Sequence, residues 1–393
     1  MFPPREDGLD HVHLTANKAD GIGLHGGAGT AFEKIQTLFI GDAMVALEAP
    51  DAARAKIGKA GQWIQVATPG GAKGWVDGGG VGEVEVEAAK VSARTVFVWR
   101  EGHAMAGLHG PTEAWVDRWD DEAINTVREA KIEAVKLLAS NDLLVFGAPK
   151  VHELVDRLRG AGVKFILARL FSQFGERRKE EDFVNDVGPA AQALFAKGVK
   201  YFEVHNEPNL NLPHSREGMF VQWQDGAGFA DFYVNVVAML RAKYPELKDA
   251  RFGYPGLSPV VPETAEPGSK YPMEKFLKES TKAVKAADFI CMHVYWGGDG
   301  TAYSAALKSV EQFCAMFPDK LVLVTEFANT AAESAVGRDT KGQEYARFFT
   351  EARKLPTNLG ALFSYALQSA GDYSEQVWKG STIAASVGKR RTT

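Results

Sequence analysis

Two glutamates stand at the ends of apolar runs. One closes Tyr201-Phe202-Glu203-Val204-His205-Asn206-Glu207-Pro208-Asn209, the other Leu321-Val322-Leu323-Val324-Thr325-Glu326-Phe327. A carboxylate at the end of a nearly all-apolar strand is costly to place, because burial requires it to be paired, hydrogen-bonded or neutral. Two such groups facing each other can divide glycoside hydrolysis between them: one protonates the leaving oxygen while the other attacks the sugar or activates water. Glu207 and Glu326 are therefore the candidate catalytic pair.

For the two to meet, the chain must bring distant strands together. From about Val91, short β-branched or aromatic runs alternate with helical patterns, the grammar of parallel βα units. Candidate strands cover 104–108, 132–138, 164–170, 200–205, 251–254, 288–295, 321–325 and 361–365. Helical patterns fill 120–130, 149–161, 181–197, 228–243, 273–286, 302–317 and 341–354. Eight strands with helices between them predict an α/β fold, a (β/α)8 TIM barrel over residues 92–393. No G-x-G-x-x-G turn follows the first strand, which disfavours a doubly wound sheet.

Barrel catalytic groups sit at the carboxyl ends of strands. Glu207 ends the fourth strand and Glu326 the seventh. Other polar groups share that face. His109 and Lys136 are expected to contact sugar. His205, by strand parity with Glu203 and Glu207, is expected to point into the barrel top, behind the substrate or against it. Tyr295 and Trp296 end the sixth strand, where Trp296 reads equally as a sugar platform or as packing.

The runs His205-Asn206-Glu207-Pro208-Asn209 and Val324-Thr325-Glu326-Phe327 resemble glycoside hydrolase clan A, the 4/7 superfamily, over about residues 104 to 370. The resemblance implies a retaining mechanism, with Glu207 as acid/base behind Asn206 and Glu326 as nucleophile. It implies that Asn206 binds the sugar 2-hydroxyl, and that Tyr295, within His293-Val294-Tyr295, bonds the nucleophile. Arg169 resembles the arginine that braces it, although in the clan that residue more often lies on strand two. Carbohydrate, β-linked and poly- or oligomeric, is the implied substrate, with no cofactor. The clan's strand-eight tryptophan has no counterpart in Phe363-Ser364-Tyr365-Ala366-Leu367-Gln368.

Residues 21–86 read differently. Short strands such as 36–40, 43–47 and 63–66 are separated by Gly, Pro and Asp turn signals, and 69–71 reads as a hairpin turn. The pattern Gly26-Gly27-Ala28-Gly29-Thr30, Gly41-Asp42, Gln62-Trp63-Ile64-Gln65-Val66 and Gly74-Trp75-Val76 resembles a bacterial SH3-like domain. That resemblance implies a cell-wall or polysaccharide ligand. Trp63 and Trp75 read equally as core or as ligand platform. The stretch 77–87 reads as the end of this module and a connector.

Bulk composition limits the partners. Net charge is −5, with 45% hydrophobic and 24% charged residues, so no basic excess points to nucleic acid. No run approaches the roughly 18 apolar residues of a membrane span. The amino terminus has no apolar signal core, which leaves location open, secreted or cell-surface being compatible with an SH3-like module. Two cysteines form no disulfide framework, and Cys291 reads as a buried small hydrophobe. His11 and His13 have no further ligand nearby, so no metal is expected. No G-x-S-x-G elbow occurs. The tail Lys389-Arg390-Arg391 reads as a solvated terminus. Two rival functions remain: a non-catalytic carbohydrate-binding barrel and a cell-wall lytic enzyme.

Overall fold

In a computed structural model, the protein is described over residues 12–18, 22–38, 43–68, 72–83, 104–172, 179–210, 223, 225–259, 272–298, 300–355, 358–369 and 373–391. The expected turn at 69–71, the connector beyond residue 83, His11, and most of the loop after the fourth barrel strand lie outside these residues. The chain divides into two compact units, Met1–Val96 and Phe97–Thr393.

The first unit is an antiparallel sheet of seven strands: β1 (His13–Ala16), β2 (Ile22–His25), β3 (Lys34–Leu38), β4 (Ala43–Ala46), β5 (Trp63–Ala67), β6 (Lys73–Asp77) and β7 (Val81–Glu83). Their order is β3-β2-β6-β5-β4-β1-β7. A short helix, α1 (Pro50–Arg54), follows β4. Alternation along β5 and β6 turns Ile64, Val66 and Val76 into a core with Leu14, Leu24 and Met44. Trp63 and Trp75 lie outside that core and are half-buried. The Trp63 ring meets the His25 ring edge-on at 5.4 Å.

The second unit is a closed parallel barrel of eight strands, the predicted architecture. Its strands are β8 (Met105–His109), β9 (Ala134–Ala139), β10 (Phe165–Leu170), β11 (Tyr201–Val204), β12 (Arg251–Tyr254), β13 (Phe289–Trp296), β14 (Leu321–Asn329) and β15 (Leu359–Ser364). Around it run α2 (Asp121–Glu129), α3 (Ala148–Gly160), α4 (Glu180–Ala196), α5 (Gly226–Lys243), α6 (Met273–Glu279), α7 (Thr281–Ala286), α8 (Tyr303–Met316), α9 (Arg338–Ala352) and α10 (Thr382–Arg390). No helix among the described residues is long and apolar enough to cross a membrane.

The two-residue period of a strand sorts each barrel residue inward or outward. Inward residues Ala134, Phe165, Leu167, Phe289, Cys291 and Leu323 form an apolar plug. Continuing the same alternation toward the carboxyl ends brings Lys136, Arg169, Glu203 and Thr325 to the same interior. Polar groups thus sit directly on a dry floor. Cys291 and Cys314 are both free and buried.

Two sequence expectations about these elements need correction, and one helix had none. The single helix expected over 273–286 is broken at Ser280, whose buried hydroxyl bonds the carbonyl of Phe276 (2.8 Å) and Tyr254 Oη (2.7 Å). A serine that bonds its own preceding turn competes with helix continuation. Helix α10 was not anticipated. Contact rather than propensity places it: a Cβ on Gly388 would stand 2.0 Å from the carbonyl of Glu129, and one on Gly342 2.7 Å from Ser386. Finally, the tail is not simply solvated. Arg391 is buried, and its Nη2 pairs with Glu133 Oε2 at 2.7 Å.

Candidate active site

Strand β11 ends in a backbone turn that alternation alone does not describe. His205 and Glu207 have φ of 77° and 39°, a region that non-glycine residues seldom occupy. The turn is pinned by His205 N–H donating to Leu170 O (2.9 Å) and Glu207 N–H donating to Gly256 O (3.0 Å). The reversed φ also breaks the parity from which His205 was expected to face the barrel interior. Its ring instead lies among Phe183, Phe232 and Trp223, the last at 5.0 Å, against the helical layer.

Strand β14 departs from alternation too. Its register with β13 pairs Met292 with Val324 and then His293 with Glu326, skipping Thr325. The irregularity lets consecutive residues act on one interior. Thr325 Oγ1 donates to Glu203 Oε1 at 2.8 Å, and Glu326 enters the polar cluster above it.

The Glu326 carboxylate is gripped from both sides. Arg169 Nη1 donates to Oε1 at 2.6 Å and Lys136 Nζ donates to the same oxygen at 3.3 Å. Tyr295 Oη donates to Oε2 at 2.6 Å. Burial alone would raise this carboxyl's pKa, but His293, Lys136 and Arg169 outweigh it and hold the group well below the usual carboxylate range. Burial and the Glu326 charge push the Tyr295 phenol well up, so it remains a donor.

Glu207 has a different environment. His293 Nδ1 and Glu207 Oε1 share a hydrogen bond of 2.6 Å, and no Lys or Arg bridges to Glu207 among the described residues. Gly256 makes this possible, because a Cβ there would stand 2.2 Å from the His293 ring. One oxygen of Glu207, one of Glu326 and a ring nitrogen of His293 lie within 4.8 Å of one another. Two cations already on Glu326 oppose a further metal cation at this spot.

Arg169 Nη1 also donates to Asn206 Oδ1, which ties Asn206 to Glu326 through one guanidinium. His109 and Lys136, expected to contact sugar, are 0% exposed and turn to Glu326 instead. Lys136 ends in carboxylates and the Thr325 carbonyl. The Nδ1–H of His109 donates to Gly110 O at 2.9 Å, and its Nε2 lies 3.6 Å from Glu326 Oε1. Burial, Lys136 and Arg169 push the His109 pKa well below the ordinary imidazole value, so the ring is neutral near pH 7. Trp296 stays apart. At 2% exposure it stacks on Phe327 (5.9 Å, 10°) and donates through Nε1 to Glu344 at 3.0 Å. Its ring is packing.

Two participants, Glu203 and Tyr365, were missed in the sequence. Glu203 is fully buried and paired with Lys136, Nζ to Oε2 3.0 Å. Thr325 and the Gly256 N–H hold its other oxygen. Its signal was present, since an acid inside the strand Tyr201–Val204 raises the same burial problem as one at its end. Tyr365, just beyond β15, packs its ring 5.1 Å from His109.

Neither a known family profile nor a curated protein matches the chain in sequence. Solved structures similar to it include glycoside hydrolases. A GH128 (subgroup II) endo-β-1,3-glucanase from Sorangium cellulosum is 13% identical, with a TM-score of 0.49 over 73% of this chain and 99% of that one. A β-glucosidase from Exiguobacterium marinum is 12% identical, with a TM-score of 0.49 over 75% and 99%. A family 39 glycoside hydrolase from Bacteroides cellulosilyticus WH2 is 13% identical, with a TM-score of 0.46 over 95% and 73%.

Proposed function

We propose that the protein is a retaining glycoside hydrolase acting on β-linked poly- or oligosaccharide. The observation that carries this reading is the asymmetric carboxyl pair: two oxygens within 4.8 Å, one carboxylate bracketed by cations and the other by an imidazole. Closely set carboxyl groups suit double displacement, whereas inversion needs a wider gap to admit a water.

Glu326, held anionic, attacks the anomeric carbon. The glycosidic C–O bond breaks, and its oxygen leaves with the proton of Glu207. Glu207, now a carboxylate, removes a proton from water. The hydroxide oxygen bonds to the anomeric carbon, and the ester electrons return to Glu326. With Oδ1 of Asn206 taken by Arg169, Nδ2 is the group suited to donate to the sugar 2-hydroxyl. In the first unit, an SH3-like module would present Trp63, Trp75 and His25 as an aromatic face for cell-wall or other polysaccharide.

The test is Glu326→Ala assayed on a panel of aryl β-glycosides. Turnover is lost, and azide restores it with inverted configuration in the product. Wild-type activity in Glu326→Ala would end the proposal. Sugar binding without turnover in the native chain would leave the non-catalytic carbohydrate-binding reading.

A further inference from the structure

Lys136 stands at a fork between two carboxylates. Its ammonium lies 3.3 Å from Glu326 Oε1 and 3.0 Å from Glu203 Oε2, with the Thr325 carbonyl at 3.2 Å. Both Lys136 and Glu203 are sealed from solvent. Glu203 cannot easily turn away, because its Oε1 accepts from Thr325 Oγ1 at 2.8 Å and from Gly256 N–H at 3.0 Å. Gly256 O in turn holds the Glu207 N–H. A third carboxylate is thus built into the floor beneath the catalytic pair, and the double displacement leaves it without a role.

We propose that Glu203 is a positioning residue that divides the charge of Lys136 between itself and Glu326, and so sets how firmly Glu326 is held as an anion. The proposal rests on Glu326 being the nucleophile. A buried ammonium between two carboxylates attracts both, and in a dry interior each attraction is stronger than in water. The other groups facing Glu326 are fixed by the fold. Neutral His109 comes from β8, Arg169 from β10, Glu207 from the end of β11, His293 and Tyr295 from β13, and Tyr365 from beyond β15. Among the described residues beside Lys136, Glu203 is the anion that neither reacts nor reaches substrate.

Its role becomes distinct when the glycosyl ester forms. Glu326 then loses its charge, and Lys136 and Arg169 face a neutral ester. Glu203 keeps Lys136 neutralised through that state. When the ester C–O bond breaks, its electron pair returns to Glu326, and Lys136 stabilises the charge again.

Opposite responses to two substitutions test this. Lys136→Met removes the cation. The acid limb of kcat/KM then moves up by about one pH unit or more, and deglycosylation slows, giving a larger burst with a 2,4-dinitrophenyl glycoside. Glu203→Gln gives all of Lys136 to Glu326. The acid limb then does not rise, glycosylation slows and deglycosylation quickens, so the burst shrinks. A burst that changes in the same direction in both variants, or an acid limb that rises in Glu203→Gln, overturns the proposal. If Lys136→Met does not fold, Glu203→Gln decides by itself. Carbon-13 NMR of labelled glutamate carboxyls, with Glu326→Gln for assignment, follows the same titration without turnover. A native chain that turns over no glycoside while the NMR shifts stand would remove the glycosidase reading and leave the charge division intact.

Discussion

The phenolic oxygen of Tyr295 lies 2.6 Å from Oε2 of Glu326, on the side of the carboxylate opposite to the Arg169 contact at Oε1. The two donors fix the plane of the carboxylate before any substrate arrives. A hydrogen bond to a charged group contributes about 1.5–3 kcal/mol. Tyr295→Phe should therefore lower kcat/KM by roughly 10- to 100-fold while the fold survives. Steady-state kinetics beside a thermal melt checks this, and unchanged kcat/KM would mean that the clamp is idle.

The acid limb of activity should reach unusually low pH. The Glu326 carboxyl has a folded-state pKa well below its ordinary value, so its ionised form, and the stability it contributes, persists above the unfolded value of about 4.3. That contribution disappears only as pH falls through the depressed folded value. Because kcat/KM reports groups of the free enzyme, its acid limb should lie below about pH 4.3. A limb near pH 6, with the protein still folded, would contradict the cationic bracket.

Trp296 separates packing from binding. Its indole stacks on Phe327 and touches Tyr303 and Phe348. Trp296→Ala should lower stability by about 3–5 kcal/mol and leave KM for oligosaccharide unchanged where the variant is folded. A raised KM with an unaltered denaturation midpoint would put the ring in the substrate's path.

Arg391 links the chain's end to the barrel. It pairs with Glu133 at 2.7 Å and donates to the carbonyl of Lys131 at 2.5 Å. Arg353 and Lys164 also hold Glu133, so Arg391→Ala does not leave a lone buried charge. The expected loss is about 1–3 kcal/mol. Burial raises the Glu133 pKa, but Arg391 and its neighbours lower it further, so this stabilisation exists above the ordinary carboxylate pKa and fades as pH falls through the folded one. Denaturant unfolding over a series of pH values falling from 7 should show the gap between native chain and variant narrowing as Glu133 takes up its proton. A gap that stays constant after Glu133 has titrated would place its origin in packing.

Much of the barrel could be read from local pattern. Apolar runs four to nine residues long recur with helical spacing between them, and strands such as Arg251–Tyr254 and Phe165–Leu170 stand where that pattern put them. Helix α10 does carry local marks, with Ser381 capping the Ile383 N–H and Lys389 and Arg390 in its last turn, but Gly388 inside it weakens the pattern, and the fit of Gly388 and Gly342 against neighbours is a property of the packed state. His205 escaped because a strand period cannot foresee a residue at φ 77°.

The sequence by itself determined that two glutamates belong to the fourth and seventh of eight strands, Glu207 just past Tyr201–Val204 and Glu326 within Leu321–Asn329, since strand period and apolar content are short-range properties. It could not determine what surrounds them. Which cations reach Glu326 depends on barrel closure, which brings Lys136, Arg169, Glu203 and Thr325 within hydrogen-bonding reach of one another or of Glu326 from four different strands. Coulombic balance in a dry interior depends on distance through space. Lys136 and His109 therefore read as sugar contacts in the sequence and belong to the carboxylate in the folded chain.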